Sequence, residues 1–250
     1  MEKREFRRVK VLCGLFYMFC LFNFLGISLN LAGGRTQDEK VQREQSVREQ
    51  GIKETVDENV FSVTEEAPKI AITFDDGPSS HCTGRLLDGL KERGVRASFF
   101  LIGKNVKENP DLVKRLYEEG HLIGNHTYNH VEITRISDEE AKKEIMDTDE
   151  AIYAITGKHV EYMRPPFGLW QEELEQELNV MPVMWSIDPL DWTTKNVDEI
   201  VNKVVTEAGE NDIILLHDCY DSSVDAALRI IDILKKKGFE FVTADELLMD

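Results

Sequence analysis

The sequence predicts an α/β fold in which the strands of a parallel sheet alternate with helices. Short apolar runs alternate with stretches of helical spacing over residues 67–250, and this alternation is typical of βα units. Helix-capping residues separate the two kinds of segment, and polar side chains follow five of the apolar runs. A closed barrel of seven or eight units fits this pattern, and an open doubly wound sheet is the alternative.

Seven apolar runs are the predicted strands, because each is short and is bounded by turn or helix signals. They are Ile70–Phe74, Ala97–Ile102, Leu122–Gly124, Tyr162–Met163, Val183–Ile187, Ile213–Leu216 and Phe239–Val242. Four intervening stretches carry helix start or stop signals. These helices are predicted to begin at Asn109-Pro110 and at Ser137-x-x-Glu140, and to cover residues 196–208 and 222–237, with Gly157 and Gly238 as stop signals.

Polar signatures follow five of the predicted strands. They are Asp75-Asp76, Asn125-His126, Arg164-Pro165-Pro166-Phe167, the segment 188–192 and His217-Asp218. In a βα barrel the active site is formed by the loops at the carboxyl ends of the strands. We therefore expect the five signatures to converge on one mouth.

A metal site is predicted from the first two signatures. Asp75 and Asp76 follow an apolar run that ends in a sharp turn, and two carboxylates there need a neutralising partner. His126 and His130 supply two imidazoles four residues apart. One aspartate with two histidines forms a three-ligand set suited to zinc, with an open position that is typical of a catalytic site.

The amino-terminal part has a different composition. Residues 1–10 are basic, and residues 11–32 form an apolar run of 22 residues, which is long enough to cross a bilayer core of roughly 30 Å. We expect an uncleaved signal anchor with residues 1–10 in the cytoplasm and the rest outside the cell membrane. A cleaved signal peptide, and hence secretion, is the alternative. Residues 33–66 are a predicted polar linker, and residues 67–250 are the predicted catalytic domain.

Charge and cysteine content limit the other classes of function. The net charge of −17 argues against a nucleic-acid partner, because such binding needs a basic surface. No protein partner is implied. Cys82 and Cys219 lie in the predicted domain, where free thiols are the first reading. A disulfide between them stays open, because the sequence does not give their separation.

The ordered signatures resemble those of polysaccharide deacetylases of the NodB-homology type, carbohydrate esterase family 4. The family motifs are T-F-D-D-G-P-S, H-[ST]-x-x-H, R-x-P-[YF], D-x-x-D-W and L-x-H. The corresponding segments here are Thr73–Ser79, His126–His130, Arg164–Phe167, Asp188–Trp192 and Leu215–His217. The resemblance spans essentially residues 68–248 and implies a distorted (β/α)₇ barrel, in agreement with the seven predicted strands.

The resemblance also implies roles for individual residues. Asp76, His126 and His130 would hold a divalent metal ion, with zinc expected first and cobalt, nickel or manganese as alternatives. Asp75 would be the general base, and His217 would be the general acid that protonates the leaving amine.

A second group of residues would orient these catalytic groups or contact the substrate. Arg164 would pair with Asp75, and Asp191 would in turn hold Arg164 through a bidentate ion pair. Phe167 would supply a backbone N–H to the oxyanion. Trp192 and Leu215 would line a pocket for the acetyl methyl group, although ordinary core packing is nearly as good an explanation for both.

These expectations together describe a metal-dependent hydrolase that removes N-acetyl groups from a polysaccharide. N-acetylglucosamine of peptidoglycan is the expected substrate, because the predicted anchor and linker favour a substrate near the membrane. Chitooligosaccharides and acetylxylan are alternatives within the enzyme class. A catalytically inactive wall-binding domain is an alternative of another class, and an intracellular amidohydrolase would require the apolar run not to be a targeting segment.

Overall fold

The structure is a computed structural model that describes residues 66–171, 174 and 177–249. The predicted basic segment 1–10, the predicted anchor 11–32 and all but the last residue of the predicted linker lie outside these residues. Within the described ranges no helix is both long enough and apolar enough to span a bilayer.

The described residues form one seven-stranded parallel sheet. Its strands are β1 Lys69–Asp75, β2 Ser98–Leu101, β3 Leu122–Asn125, β4 Tyr162–Met163, β5 Met181–Pro182, β6 Ile213–His217 and β7 Glu240–Val242. The order is β5-β4-β3-β2-β1-β6, and β7 pairs with the first half of β1. Every strand pair is parallel, so the predicted α/β class is confirmed.

Helices follow the strands, and the four that the sequence predicted are among them. They are α1 Thr83–Arg93, α2 Gly103–Glu108, α3 Pro110–Glu118, α4 Asp138–Thr156, α5 Val197–Glu207, α6 Asp221–Lys236 and α7 Ala244–Met249. The Ser137 side chain and Glu140 form the predicted capping box of α4, and Gly157 ends that helix in a left-handed conformation. Asn196 caps α5 by accepting a hydrogen bond from the backbone N–H of Glu199.

The fifth strand lies earlier in the chain than predicted. The sequence predicted a strand over Val183–Ile187, but Met181–Pro182 makes the ladder with β4. The Arg164 side chain explains the difference, because it donates hydrogen bonds to the carbonyls of Val183 and Met184 at 2.9 and 3.3 Å. Those two acceptors are therefore taken up by a buried side chain.

The sheet curls toward closure. Beyond β5, Ile187 forms an isolated parallel bridge with Ile214 of β6, and the N–H of Leu215 donates to the Ile187 carbonyl at 2.9 Å. The two outer members of the sheet thus meet through one bridge where a regular barrel would have a ladder. A curled parallel sheet is the part of the predicted barrel that the structure shows.

Residue alternation in β1 positions the site. Successive side chains of a strand point to opposite faces of the sheet. One set joins the large core beneath the helices, namely Ile70, Ile72 and Phe74. Thr73 and Asp75 face the inside of the curl, where the Arg164 guanidinium donates to Thr73 Oγ1 at 2.7 Å and to Asp75 Oδ1 at 2.8 Å. The alternation of side chains along β1 therefore places Asp75 on the inner face of the curled sheet.

Candidate active site

The paired carboxylates occupy two different environments. Asp75 is the last residue of β1 and is 3% exposed. Asp76 has a left-handed backbone with φ of 72°, a conformation that costs on the order of 1–3 kcal/mol for a residue other than glycine. This turn takes the chain out of the strand, so that Asp76 faces the histidines while Asp75 faces Arg164.

Asp76, His126 and His130 converge on one point. Asp76 Oδ1 lies 3.5 Å from His126 Nε2 and 3.3 Å from His130 Nε2, and the three candidate ligand atoms lie within 4.8 Å of one another. Asp76 Oδ1 is buried and has no hydrogen-bond partner within the described part of the chain. A buried acceptor without a donor, beside two imidazole nitrogens, fits a divalent cation.

Each histidine has a further interaction that suits it to binding a metal ion. His126 Nδ1 lies 2.6 Å from the carbonyl oxygen of Arg164. Because a carbonyl only accepts, Nδ1 must carry the proton, which leaves the Nε2 lone pair facing Asp76. Burial lowers the pKa of His130, although the Asp76 carboxylate opposes this shift. Burial thereby favours His130 in the neutral form that binds a metal ion.

The Asp76 carboxylate is kept ionised by its surroundings. Burial alone would raise its pKa. The nearby imidazoles of His126, His217 and His130 outweigh burial and hold the pKa of Asp76 below its ordinary value. An ionised carboxylate is the form that binds a metal ion.

Asp75 is held by a fully buried arginine, as predicted. Besides the 2.8 Å ion pair between Arg164 Nη1 and Asp75 Oδ1, the guanidinium lies 4.2 Å from the centroid of the Phe100 ring. The second carboxylate oxygen of Asp75 lies 3.7 Å from His126 Nε2. One oxygen is thus fixed by Arg164 while the other faces the candidate metal ligands.

The predicted ion pair between Asp191 and Arg164 is wrong. Asp191 instead accepts hydrogen bonds from His217, at 2.7 Å from ring Nδ1 and 2.9 Å from the backbone N–H. Arg164 donates to Asp75, Thr73 and two backbone carbonyls, and within the described part of the chain it forms no hydrogen bond or ion pair with Asp191. Asp191 therefore positions the histidine, because its loop lies beside the end of β6.

The contact with Asp191 changes the acidity of His217. Burial alone would lower the pKa of His217, but the hydrogen bond and charge of Asp191, together with the charges of Asp75 and Asp76, raise it to about 9. The Asp191 carboxylate accepts from Nδ1, so the second proton of the imidazolium is on Nε2. His217 is therefore held in the protonated form that a general acid needs at neutral pH.

The three predicted substrate contacts lie in different settings. Phe167 is 63% exposed with φ of 63°, and its ring meets that of His130 edge-on at 5.1 Å between centroids. Trp192 is exposed in the turn that begins at Asp191, whereas Leu215 is buried in β6. Phe167 thus joins the mouth of the site, and the acetyl pocket of Trp192 and Leu215 stays a prediction.

The sequence predicted no role for one buried carboxyl group of the five signatures. Asp218 is fully buried, its Oδ2 accepts from the Thr83 hydroxyl, and its Oδ1 finds no hydrogen-bond partner among the described residues. Burial raises the pKa of Asp218 to about 7. The carboxyl group lies against Gly77, in the turn that follows Asp76. Its only sequence signal is its place after His217.

Replacing Gly77 by alanine is expected to destabilise the fold by about 1–3 kcal/mol, as overpacking does in other cores. The new Cβ would lie 2.5 Å from Asp218 Oδ2, which is well inside contact distance. Urea unfolding would measure the change. Gly84→Ala is the matched control, because its Cβ meets only Leu112 at 3.9 Å and alanine favours a helix by up to about 1 kcal/mol. Equal stability of the two variants would contradict the close approach.

The cysteines of the described residues are both free. Cys82 is buried and Cys219 is partly buried, and neither forms a disulfide. The first reading of the sequence, two free thiols, is therefore the one that the structure supports.

Known proteins resemble this chain in sequence and in structure. A family model described as polysaccharide deacetylase matches residues 62–184. The peptidoglycan-N-acetylglucosamine deacetylase PgdA of Listeria monocytogenes is 40% identical over 179 residues, which cover 72% of this chain and 38% of that protein. The chitooligosaccharide deacetylase of Rhizobium leguminosarum bv. trifolii is 41% identical over 188 residues, which cover 68% of this chain and 87% of that protein.

A solved structure agrees with these sequence matches. The peptidoglycan deacetylase PdaC from Bacillus subtilis has a TM-score of 0.71 and 39% sequence identity, covering 73% of this chain and 91% of that chain. The chain thus spans less than half of the Listeria relative but most of the Rhizobium relative. At this identity and coverage, this chain belongs to the polysaccharide deacetylase family.

Proposed function

We propose that this chain is a metal-dependent deacetylase that removes acetyl groups from N-acetylglucosamine of peptidoglycan. The observation that carries the proposal is the grouping of three candidate ligands, Asp76, His126 and His130, with an arginine-bound carboxylate and an aspartate-bound imidazole close by. Asp75 and His217 are register partners at the ends of the neighbouring strands β1 and β6, and Asp76 follows Asp75, so a base, an acid and a cation site share one small region.

The chain's own residues supply the proton transfers of amide hydrolysis. The bound cation would polarise the acetyl carbonyl and lower the pKa of water. The second oxygen of Asp75 would accept the proton of the attacking water, while Arg164 holds the first oxygen. His217 would donate its Nε2 proton to the leaving nitrogen, with Asp191 holding Nδ1. The backbone N–H of Phe167 would stabilise the oxyanion.

The names of two relatives correspond to the two leading candidate substrates. The Listeria relative is named a peptidoglycan-N-acetylglucosamine deacetylase and the Rhizobium relative a chitooligosaccharide deacetylase. Peptidoglycan is preferred because a membrane anchor over 11–32 and a linker over 33–66 would keep the domain near the wall. Chitooligosaccharides and acetylxylan remain the alternatives. The inactive wall-binding alternative is disfavoured because every polar residue of the predicted site is present.

Release of acetate from a panel of glycans tests the proposal. Zinc-loaded full-length protein is expected to release acetate from peptidoglycan faster than from chitin oligomers or acetylxylan, and a chelator should stop the release. Faster release from chitin oligomers would favour the alternative substrate. Absence of acetate from every glycan, after reconstitution with zinc or cobalt, would favour the inactive wall-binding class.

Replacing His126 by alanine is expected to weaken metal binding by more than about 100-fold, because loss of an outer contact alone costs about 10- to 100-fold. Metal content after gel filtration would measure the loss. His159→Ala is the matched control, since His159 pairs with Asp149 on the surface and is not one of the candidate ligands Asp76, His126 and His130. Full metal content in the His126 variant would reject His126 as a ligand.

We further propose a single-pass location, with residues 11–32 in the cell membrane and the domain outside. The support is the basic segment followed by the 22-residue apolar run. Fractionation of cells producing the full chain should place it in the membrane, and protease added to intact protoplasts should digest the domain. Recovery of a shortened chain from the medium would instead support signal cleavage.

A further inference from the structure

A second group of metal-binding side chains lies outside the candidate active site. His81, Cys82 and Asp221 offer one ligand atom each, and all three atoms lie within 4.8 Å of one another. His81 Nε2 is 3.1 Å from Asp221 Oδ2, and Cys82 Sγ is 3.9 Å from Asp221 Oδ1. None of these residues has a part in the proposed deacetylation.

The spacing suits a tetrahedral zinc site. Zinc binds sulfur at about 2.3 Å and nitrogen or oxygen at about 2.0–2.2 Å, so the ligands around one ion lie between about 3 and 4 Å apart. The distances from His81 Nε2 to Asp221 Oδ2 and from Cys82 Sγ to Asp221 Oδ1 fall within this range, although they involve the two different oxygens of the carboxylate. Bringing the sulfur, the imidazole nitrogen and one carboxylate oxygen around a single ion requires rotation of the His81 and Asp221 side chains, which are both exposed.

The fold holds the group together from two separate loops. Cys82 precedes α1 and Asp221 begins α6, and the two residues are 139 positions apart. The Arg85 guanidinium donates to Asp221 Oδ1 at 2.9 Å and also to Asp225. Asp221 Oδ2 faces His81 and is the oxygen left for a cation. A bound ion would tie the loop after β1 to the loop after β6.

The thiol selects the type of cation. Sulfur is a soft ligand that favours zinc and other borderline or soft ions over magnesium, calcium or manganese. An ordinary cysteine is a protonated thiol at neutral pH. Binding would break the S–H bond, form a metal–sulfur bond and release the proton to solvent.

We propose that His81, Cys82 and Asp221 form a second, thiolate-containing site for zinc or a similar ion, separate from Asp76, His126 and His130. Water would complete the coordination. Because the ion would join the loops that carry Asp76 and His217, its expected effect is to stiffen the walls of the active site. The site does not depend on deacetylase activity.

Cobalt spectroscopy tests this proposal directly. Addition of Co²⁺ to metal-free full-length protein is expected to produce the near-ultraviolet charge-transfer absorption of a cobalt–thiolate bond. The Asp76 site contains no sulfur and cannot produce this absorption. The band should be lost in Cys82→Ser and at least about 10-fold harder to saturate in the surface variant His81→Gln, because one ligand is missing. It should persist in Cys219→Ser and in His126→Ala.

Zinc stoichiometry provides the second measurement. Wild-type protein is expected to retain about two zinc ions per chain and Cys82→Ser about one, with unfolding curves recorded for each variant. Absence of the band in wild-type protein would overturn the proposal. So would a band that survives in Cys82→Ser, since the sulfur would then come from another cysteine. An unchanged saturation curve in His81→Gln would remove His81 from the ligand set.

Discussion

Replacing Asp75 by asparagine is expected to reduce acetate release by about 10²- to 10⁴-fold, the usual contribution of a general base. Asparagine keeps an oxygen for the Arg164 hydrogen bond but cannot take a proton from water. Metal content should stay unchanged, because the candidate ligands are Asp76, His126 and His130. Rates with zinc-loaded protein, together with metal analysis, would measure both effects.

Asp76→Asn is the matched control for this prediction, since it removes the same charge one residue further along. The Asp76→Asn variant is expected to lose its metal ion, and its activity should fall because the metal ion is lost. Loss of metal in Asp75→Asn with retention in Asp76→Asn would show that the two roles are reversed. Because Arg164 would stay buried without a counter-charge, Asp75→Asn should also unfold at lower temperature, and rates must be compared below that temperature.

Replacing Asp191 by asparagine is expected to have the second-largest effect, about a 10²-fold loss of activity with an altered pH dependence. Asp191 is the main group that raises the pKa of His217 to about 9. A neutral partner should let this pKa fall toward the ordinary value of 6.5. His217 would then lose its proton at lower pH, and the basic limb of the profile of kcat/KM against pH should move to lower pH.

The linked effect on stability has a defined sign. The folded-state pKa of His217 lies above its unfolded value, so its pair with Asp191 stabilises the fold fully below pH 6.5 and loses this contribution as pH rises through about 9. Urea unfolding of metal-free protein across this range should show the loss in wild-type protein but not in Asp191→Asn. A basic limb at the same pH in both proteins would contradict the positioning role of Asp191.

The error over Asp191 has a physical origin. Asp191 is 26 residues from His217 along the chain. The predicted site contains two side chains that could carry a positive charge and pair with Asp191, namely Arg164 and His217. Arg164 has other acceptors within reach, namely Asp75, Thr73 and two carbonyls of the segment after β5. Which partner a carboxylate contacts depends on how neighbouring loops pack, and residue spacing carries no information on that packing.

The displaced fifth strand follows from the same interaction. The apolar character of Val183–Ile187 predicted a strand correctly in kind but not in position. A fully buried arginine needs acceptors for all its N–H groups, and the nearest carbonyls belong to Val183 and Met184. Hydrogen bonds from the Arg164 side chain thus decide where the strand pairing ends. Local strand propensity does not include such a contact.

The sequence by itself determined the alternating elements, the helix caps and the set of polar residues that follow the strands. These features depend on side-chain periodicity and on contacts between near neighbours, as in the capping box of Ser137 and Glu140. The tertiary structure alone decided which distant groups meet. It placed Asp191 on His217, Asp218 beneath Gly77, and Cys82 beside Asp221. Those contacts join loops that come together only when the sheet curls.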